Sequence, residues 1–233
     1  MSTAVITGAG SGMGRATAEL YLDRGWTVIA VDVADNPGIE SGYLHWVKAD
    51  VRNRATLEAA LAPAVAAAGG QIDAVANIAG VFPPTTLETF TEENFNFIFG
   101  VNVLGVLNVT AACVPFMTVG SSVVNFASVD GFTVSRGQLL YGASKSAVIM
   151  ITKSLALELA PQGIRVNGIA PGWVATPGNA ATGRMEEAAA SIPIGRVAQP
   201  SEIAEWVFLL TDSSKAGFVD GETIVISGAD VMR

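Results

Sequence analysis

The chain has 233 residues, of which half are hydrophobic and 15% are charged, and its formal net charge is −8 at pH 7. This length fits a single domain, residues 1–233, with a large core. The acidic balance and the lack of a Lys/Arg stripe argue against nucleic acid or an anionic membrane surface as a partner. The apolar runs are short and interrupted by Gly and Thr, so we expect no segment to cross a membrane.

The cysteine and histidine counts narrow the chemistry further. Cys113 is the only cysteine and His45 the only histidine. An internal disulfide is therefore excluded and a metal site is not expected. We expect Cys113 in the core of a helix and His45 in a strand, neither with a chemical role. No cleavable signal segment is evident at the N-terminus, which predicts a cytoplasmic protein.

The chain starts with a short strand pattern, Thr3 to Thr7, followed by a glycine-rich turn and a helical pattern through Arg24. This order is what a dinucleotide-binding fingerprint requires. Glycines let the backbone approach a pyrophosphate, and a helix N-terminus offers it free N–H groups. A turn that merely joins strand to helix is the alternative. The turn residues expected to bind a cofactor are Gly8, Ser11, Gly12, Met13 and Gly14.

The second buried strand pattern, Trp26 to Val31, ends at Asp32. An acid at this position suits the hydroxyls of an adenosine ribose and repels a 2′-phosphate. No Arg or Lys lies in residues 33–36, so NAD is favoured over NADP on charge grounds. The alternative is a solvated loop acid.

Three further elements continue the alternation of strands and helices. Leu44 to Lys48 is a strand pattern, Arg54 to Ala67 an Ala-rich helix pattern, and Ile72 to Ala76 a fourth strand pattern. Short turns between such elements predict an α/β fold with a doubly wound parallel sheet and helices on both faces. After the third strand, Asp50 is placed to meet an adenine amino group, with a plain turn acid as the equal alternative.

A long helix is predicted from the N-cap Thr91 toward Met117. It contains Asn102 in an apolar surrounding. A buried amide costs stability unless it is hydrogen-bonded, so Asn102 is either a structural tie or a site residue.

The proton-transfer chemistry is predicted around Ser128, Tyr141 and Lys145. The buried strand pattern Ser122 to Ala127 ends at Ser128, and α/β sheets place chemistry at the carboxyl ends of strands. Tyr141 and Lys145 lie four apart at the start of a helix pattern ending at Ala160, so they share one face. A tyrosine must lose about 2 to 3 pKa units to act near neutrality, which one close cation can supply. A packed Tyr beside a solvated Lys is the alternative for the pair alone.

The last part of the chain carries a sixth strand pattern, Gly163 to Ala170, and a seventh, Glu222 to Ile226. Between them, Asn179 to Ile192 is small and Ala-rich, which favours a mobile lid around residues 176–198. Pro200 to Leu210 is a helix pattern.

The ordered set of motifs resembles the short-chain dehydrogenase/reductase family over essentially the whole chain. The resemblance rests on Thr7 to Gly14, Asn77 to Gly80, Asn102, Ser128, Tyr141 to Lys145, and Pro171-Gly172 with Thr176. It implies a Rossmann-type sheet of about seven strands, NAD(P) at the strands' carboxyl ends, and a homodimer or homotetramer. Two positions depart from the family pattern, Ile78 and the segment Ser227 to Ala229.

The resemblance also implies roles for individual residues. Tyr141 would be the acid/base and Ser128 would bond the substrate oxygen. Lys145 would lower the tyrosine pKa and bind the nicotinamide ribose, while Asn102 would hold a proton-relay water. The remaining cofactor-binding positions are Asp50, Val51, Asn77, Ala79, Gly80, Pro171, Gly172, Val174 and Thr176.

We therefore expect an NAD-dependent oxidoreductase that transfers hydride between nicotinamide and a small secondary alcohol or ketone, with a dihydrodiol substrate left open. A non-catalytic NAD-binding sensor and an NADPH-dependent ketoacyl-type reductase are the alternatives. Arg136 is expected either to pair with a substrate carboxylate or to be a plain surface arginine. The candidate substrate-pocket residues are Phe82, Asp130, Arg136, Trp173 and Met185.

Overall fold

In the computed structural model, which describes residues 1–232, one parallel sheet carries seven strands in the order β3-β2-β1-β4-β5-β6-β7. The strands are β1 Thr3–Thr7, β2 Thr27–Asp32, β3 Leu44–Lys48, β4 Ile72–Asn77, β5 Met117–Phe126, β6 Arg165–Pro171 and β7 Thr223–Ile226. The helices are α1 Gly12–Asp23, α2 Arg54–Ala67, α3 Glu92–Phe99, α4 Gly105–Cys113, α5 Leu139–Leu159, α6 Pro177–Ala180, α7 Met185–Ser191, α8 Pro200–Thr211 and α9 Ser213–Ala216. The predicted doubly wound sheet is confirmed.

Apolar side chains cover both faces of the sheet. Val5 and Ile6 are adjacent in β1, both fully buried, and they belong to two separate core clusters because successive strand residues point to opposite faces. Leu57 of α2 packs in one cluster, and Ile203 of α8 packs in the other. A sheet buried on both sides explains why its strands are nearly continuous apolar runs.

The strand order reverses beside β1, which pairs with β2 on one side and with β4 on the other. The carboxyl ends of the strands therefore open a crevice at this switch point, where doubly wound folds bind ligands. Gly8 follows β1 with a φ of 69°, a conformation that favours glycine. A Cβ on Gly14 would lie 2.0 Å from the Gly8 carbonyl oxygen, so α1 can start this close to the turn only with glycine there.

The predicted single helix after Thr91 is divided. A π-helical turn, Gly100–Leu104, separates α3 from α4, and a 3-10 turn, Val114–Phe116, ends the run. Together Glu92–Phe116 spans 25 residues and is long and apolar enough to cross a membrane by length and composition. The expectation from the sequence is that no segment crosses a membrane, and this helix meets the length and composition of a spanning segment although a buried core helix can do the same. Within this helix, 56% of the most apolar 18-residue stretch is buried inside the protein.

Several smaller expectations can be compared with the structure. Cys113 is a free, buried thiol at the end of α4, and His45 lies in β3, as predicted. β5 starts at Met117, earlier than the predicted Ser122, because Met117 already pairs with Ile72 of β4. The segment predicted as a lid carries α6 and α7.

Candidate active site

Two adjoining cavities lie along the carboxyl edge of the sheet. The first, of about 600 Å³, follows the glycine-rich turn and the ends of β2 and β4. The second, of about 250 Å³, contains Ser128, Tyr141 and Lys145. Five residues line both cavities, so the two spaces adjoin at these side chains, which are Met13, Ile78, Gly80, Phe82 and Thr176.

Most of the residues predicted to bind the cofactor line one of these cavities. Those in the first are Gly8, Ser11, Gly12, Met13, Gly14, Asp32, Asp50, Val51, Ala79, Gly80 and Thr176. Pro171, Gly172 and Val174 line the second. Asn77 lines neither: its side-chain amide donates to the Thr110 hydroxyl (3.1 Å) and to Asn125 Oδ1 (2.9 Å), so it ties β4 to α4 and β5.

The carboxylate of Asp32 is held against the glycine-rich turn. Oδ2 accepts from the Gly10 N–H at 2.8 Å, and Oδ1 accepts from the Ala34 N–H at 2.9 Å. A Cβ on Gly10 would lie 2.9 Å from Oδ2, so the backbone of the turn approaches the carboxylate as only glycine allows. The acid therefore keeps one orientation at the wall of the first cavity.

Asp50 has a different partner from the one expected. The Arg52 side chain donates to both of its oxygens, with Nη2 to Oδ2 at 2.6 Å, and the Arg52 backbone N–H donates to Oδ1 at 2.9 Å. Hydrogen bonds from Arg52 hold the pKa of Asp50 below its ordinary value. Arg52 is thus the partner of Asp50 in the structure, and a contact between Asp50 and an adenine amino group stays a prediction.

Ser128 and Tyr141 meet at the inner end of the second cavity. Ser128 lies two residues after the end of β5, is 7% exposed, and accepts from the Asp130 N–H at 3.2 Å. Tyr141 stands in the first turn of α5, hydrogen-bonds with the Ser128 side chain, and packs edge-on against Phe82 at 5.9 Å between ring centroids. Two hydroxyls thus converge on one small space.

Lys145 lies one helical turn beyond Tyr141 and is 4% exposed. Its Nζ donates to the Phe126 carbonyl at 2.6 Å and lies 5.6 Å from the centroid of the Tyr141 ring. Burial lowers the pKa of Lys145 to about 8. The ammonium is therefore fixed beneath the tyrosine and is easier to deprotonate than a surface lysine.

The direction of the Tyr141 pKa shift differs from the prediction. Burial raises the pKa of Tyr141 to about 12, the hydrogen bond with Ser128 works against this rise, and the charge of Asp130 adds to it. Desolvation of the phenolate is thus the largest cause of the shift, and the role of Lys145 in lowering the tyrosine pKa stays a prediction.

Asn102 is fully buried in the π-helical turn. Its Oδ1 accepts from the Val81 N–H at 2.8 Å, and its Nδ2 donates to the Val81 carbonyl at 2.9 Å and to Ser144 Oγ at 3.0 Å. The side chain is thus a structural tie between the loop after β4 and α5. π-helical turns inside α-helices are frequent at functional sites, which is the one signal here for a further role.

Of the predicted substrate-pocket residues, Phe82, Asp130 and Trp173 line the second cavity, whereas Arg136 and Met185 do not. Arg136 stands in an exposed loop, so a plain surface arginine is the better description. The sequence interpretation missed several lining residues, among them Gln138, Asn179, Thr182, Arg184, Asp230 and Val231. Asp230 and Val231 come from the segment after β7. No local pattern in the sequence indicates that this segment reaches the second cavity.

No cluster of three or more His, Cys, Asp or Glu side chains able to hold a metal ion occurs within residues 1–232.

Comparisons with known proteins agree with this architecture. Residues 8–228 match the family model described as enoyl-(acyl carrier protein) reductase. The 3-oxoacyl-[acyl-carrier-protein] reductase FabG of Thermotoga maritima is 36% identical over 247 residues, covering 98% of this chain and 97% of that protein.

Two crystal structures extend the likeness to three dimensions. One is a short-chain dehydrogenase/reductase, glucose/ribitol dehydrogenase, from Brucella melitensis, with a TM-score of 0.93, 30% identity, and coverage of 100% of this chain and 97% of that one. The other is a 3-ketoacyl-(acyl-carrier-protein) reductase from Brucella melitensis complexed with NADH, with a TM-score of 0.91, 29% identity, and coverage of 99% and 98%. The chain belongs to the short-chain dehydrogenase/reductase family of oxidoreductases.

Proposed function

We propose that this protein is an NAD-dependent oxidoreductase that interconverts a secondary alcohol and a ketone, with Tyr141 as the acid/base. The observation that carries this proposal is the convergence of the Ser128 and Tyr141 hydroxyls in a cavity adjoining the glycine-rich cleft. Hydride transfer needs the reacting carbon and a nicotinamide ring side by side, and two adjoining cavities provide that arrangement.

The first cavity fits a dinucleotide. Its volume of about 600 Å³ lies within the usual range for ligand sites, roughly 300 to 1,000 Å³. The glycine turn lines this cavity, and a Cβ on Gly12 would meet the Thr176 side chain at 3.1 Å, so the close approach of the two favours glycine. Asp32 would hold the adenosine ribose, Gly8 to Gly14 the pyrophosphate, and Thr176 the nicotinamide end. The cofactor would supply the hydride acceptor or donor.

The chain's own residues would move the proton. In the oxidative direction the alcohol oxygen is placed between the hydroxyls of Ser128 and Tyr141. The Tyr141 phenolate takes the hydroxyl proton and becomes the phenol, while the C–H bond breaks and its two electrons leave with hydride, so the carbinol becomes a carbonyl. Ser128 holds the substrate oxygen through this change, and Lys145 stabilises the phenolate by its charge. In reduction the same steps run in reverse.

The charges around the first cavity favour NAD over NADP. Asp32 puts a negative charge where a 2′-phosphate would lie. Arg52, the cation among the lining residues, is already neutralised by Asp50 at 2.6 Å. Lys48 pairs with Asp35 at 2.8 Å on the exposed side of β3. An adenosine 2′-phosphate would therefore meet a fixed acid without an uncommitted cation.

A second candidate is NADPH-dependent reduction of a ketoacyl group. The observation in its favour is the 36% identity to a 3-oxoacyl-[acyl-carrier-protein] reductase over nearly the full chain. It would use the same Ser128 and Tyr141 chemistry, so the two candidates differ in cofactor and in the substrate's acyl carrier.

Assembly into a homodimer or homotetramer is also part of the proposal. Several large apolar side chains remain exposed between α3 and the end of α5. Extended exposed apolar surface is uncommon on monomeric proteins and often marks an interface. These side chains include Phe95, Leu104, Leu107, Met150 and Leu157. A monomeric mass in light scattering would contradict this. A cytoplasmic location stays a prediction.

The deciding experiment follows NADH absorbance at 340 nm with purified protein, each of NAD⁺ and NADP⁺, and a panel of secondary alcohols, polyols, hydroxy acids and hydroxysteroids. Reduction of a ketoacyl thioester with NADH and NADPH runs in parallel. We expect turnover of an alcohol with preference for NAD⁺. NADPH-specific turnover of the thioester alone would establish the second candidate instead, and tight NADH binding without any turnover would indicate a sensor.

A further inference from the structure

The second cavity contains a cation that the proton-transfer chemistry does not use. Arg184 immediately precedes α7 and lines the cavity together with Ser128 and Tyr141. Its guanidinium carbon lies 5.5 Å from the centroid of the Trp173 ring, which also lines the cavity. The guanidinium is therefore oriented by an aromatic face of the cavity wall, while its side chain remains more than half exposed.

The donors of Arg184 are largely uncommitted. Within residues 1–232 its ion pair is with Glu187, and the distance from Nε to Oε2 is 3.8 Å, beyond hydrogen-bond range. By contrast, Arg196 makes a bidentate pair with Glu202, with both N–O distances at 2.7 Å. Arg184 thus keeps its two terminal nitrogens for a ligand.

The other charged groups of the cavity are engaged or exposed. Lys145 donates to the Phe126 carbonyl, and Asp130 accepts from the Ser135 hydroxyl. Asp230 is exposed, as Arg184 is, so water screens both of these charges. Arg184 is the cation of this cavity that is free to contact a substrate.

The second cavity, at about 250 Å³, is smaller than common ligand sites of roughly 300 to 1,000 Å³, so a compact substrate fits it best. Arginine stays charged at any working pH, and its planar fork matches the two oxygens of a carboxylate. A small anion would therefore be both accommodated and oriented.

We propose, on the basis of the proposed function, that Arg184 determines specificity by binding the carboxylate of a small hydroxy acid or oxo acid. The carboxylate would pair with the guanidinium above Trp173 while the carbinol carbon lies at Ser128 and Tyr141. In oxidation the hydroxy acid loses hydride to NAD⁺ and its hydroxyl proton to Tyr141, and it leaves as the oxo acid.

The test compares matched substrates, hydroxybutyric acids and their methyl esters. Only the acids carry the carboxylate that Arg184 would bind. We expect wild-type kcat/KM to favour the acid by at least tenfold. Arg184→Gln should abolish this preference by raising KM for the acid, with kcat on the ester within about twofold of wild type. Arg184→Lys should retain part of the preference. Arg136→Gln, which alters an exposed arginine outside the cavity, should leave the preference intact.

The outcomes separate the two proposals. Equal use of acid and ester by wild type, with turnover of neutral alcohols, would overturn the role of Arg184 and leave the proposed function standing. An unchanged preference in Arg184→Gln would do the same. Absence of turnover with acids, esters and neutral alcohols alike would overturn both. Circular dichroism of each variant confirms that it is folded; because the Arg184 side chain is exposed, we expect unaltered unfolding midpoints.

Discussion

The ammonium of Lys145 donates a 2.6 Å hydrogen bond to the carbonyl of Phe126, the last residue of β5 and two residues before Ser128. This bond connects the first turns of α5 to the end of the strand that carries Ser128. The position of Tyr141 relative to Ser128 therefore depends on a buried amine, and the cost of burying that amine shows in its lowered pKa.

The pH dependence of stability should reveal this buried amine. The folded-state pKa of Lys145 is about 8, below its ordinary value of 10.5. Its contribution to stability is therefore complete above pH 10.5 and is lost as the pH falls through about 8. Relative to Lys145→Met, the wild-type free energy of unfolding should fall by about 3 kcal/mol between pH 10.5 and pH 7.

Urea denaturation at several pH values measures this difference. Lys153→Met alters an exposed lysine of the same helix and is the matched control. A constant difference between wild type and Lys145→Met across this range would show that the amine is not desolvated. Turnover by Lys145→Met should fall at least 100-fold.

The phenol of Tyr141 should have the opposite pH signature. Burial raises its pKa from 10.0 to about 12, so its contribution to stability is complete below pH 10 and is lost as the pH rises through 12. Relative to Tyr141→Phe, wild type should lose roughly 2 kcal/mol between pH 9.5 and pH 12. Tyr141→Phe should also bind NADH normally, measured by fluorescence titration, while its turnover falls at least 1,000-fold. Retention of most of the activity would exclude Tyr141 as the acid/base. Tyr43→Phe, at an exposed tyrosine, is the control.

The sequence predicted the sheet, and the placing of Tyr141 and Lys145 one turn apart on a helix, because both depend on local signals. Apolar runs define buried strands, and the spacing of Tyr141 and Lys145 on a helix places them on one face. The strand bounds of β3 and the helix bounds of α2 were predicted without error.

The remaining features depend on contacts between distant parts of the chain. Arg52 donates hydrogen bonds to Asp50 because of the turn conformation between them, and no sequence motif predicts that conformation. Arg184 reaches the second cavity because of how the segment after β6 folds over it, whereas Arg136, closer in sequence to Ser128, lies in exposed loop. The sign of the Tyr141 pKa shift depends on burial, which the identity of its neighbours in the sequence does not reveal.

The close approach of α1 to β1 should make Gly14 intolerant of any side chain. A Cβ there would lie 2.0 Å from the Gly8 carbonyl oxygen and 2.5 Å from its carbon, both backbone atoms that cannot rotate away. Gly14→Ala should therefore destabilise the fold by about 2 kcal/mol or more and weaken NADH binding at least tenfold, because the turn must shift. Gly42→Ala has open space around its Cβ and serves as control. Wild-type stability and NADH affinity in Gly14→Ala would contradict this steric account.

The charge of Asp32 should set the choice between the two nicotinamide cofactors. Asp32→Asn removes the negative charge but preserves the size of the side chain. Its amide oxygen can still accept from the Gly10 N–H, which lies 2.8 Å from Oδ2 of Asp32 in the wild-type chain. We expect kcat/KM for NAD⁺ to fall about tenfold and the ratio of NAD⁺ to NADP⁺ to fall at least 30-fold, since the repulsion of a 2′-phosphate is lost. Asp35→Asn removes an exposed acid that pairs with Lys48 outside the cavity, so its cofactor ratio should match that of wild type. Equal cofactor ratios in wild type and Asp32→Asn would mean that the carboxylate only braces the glycine turn.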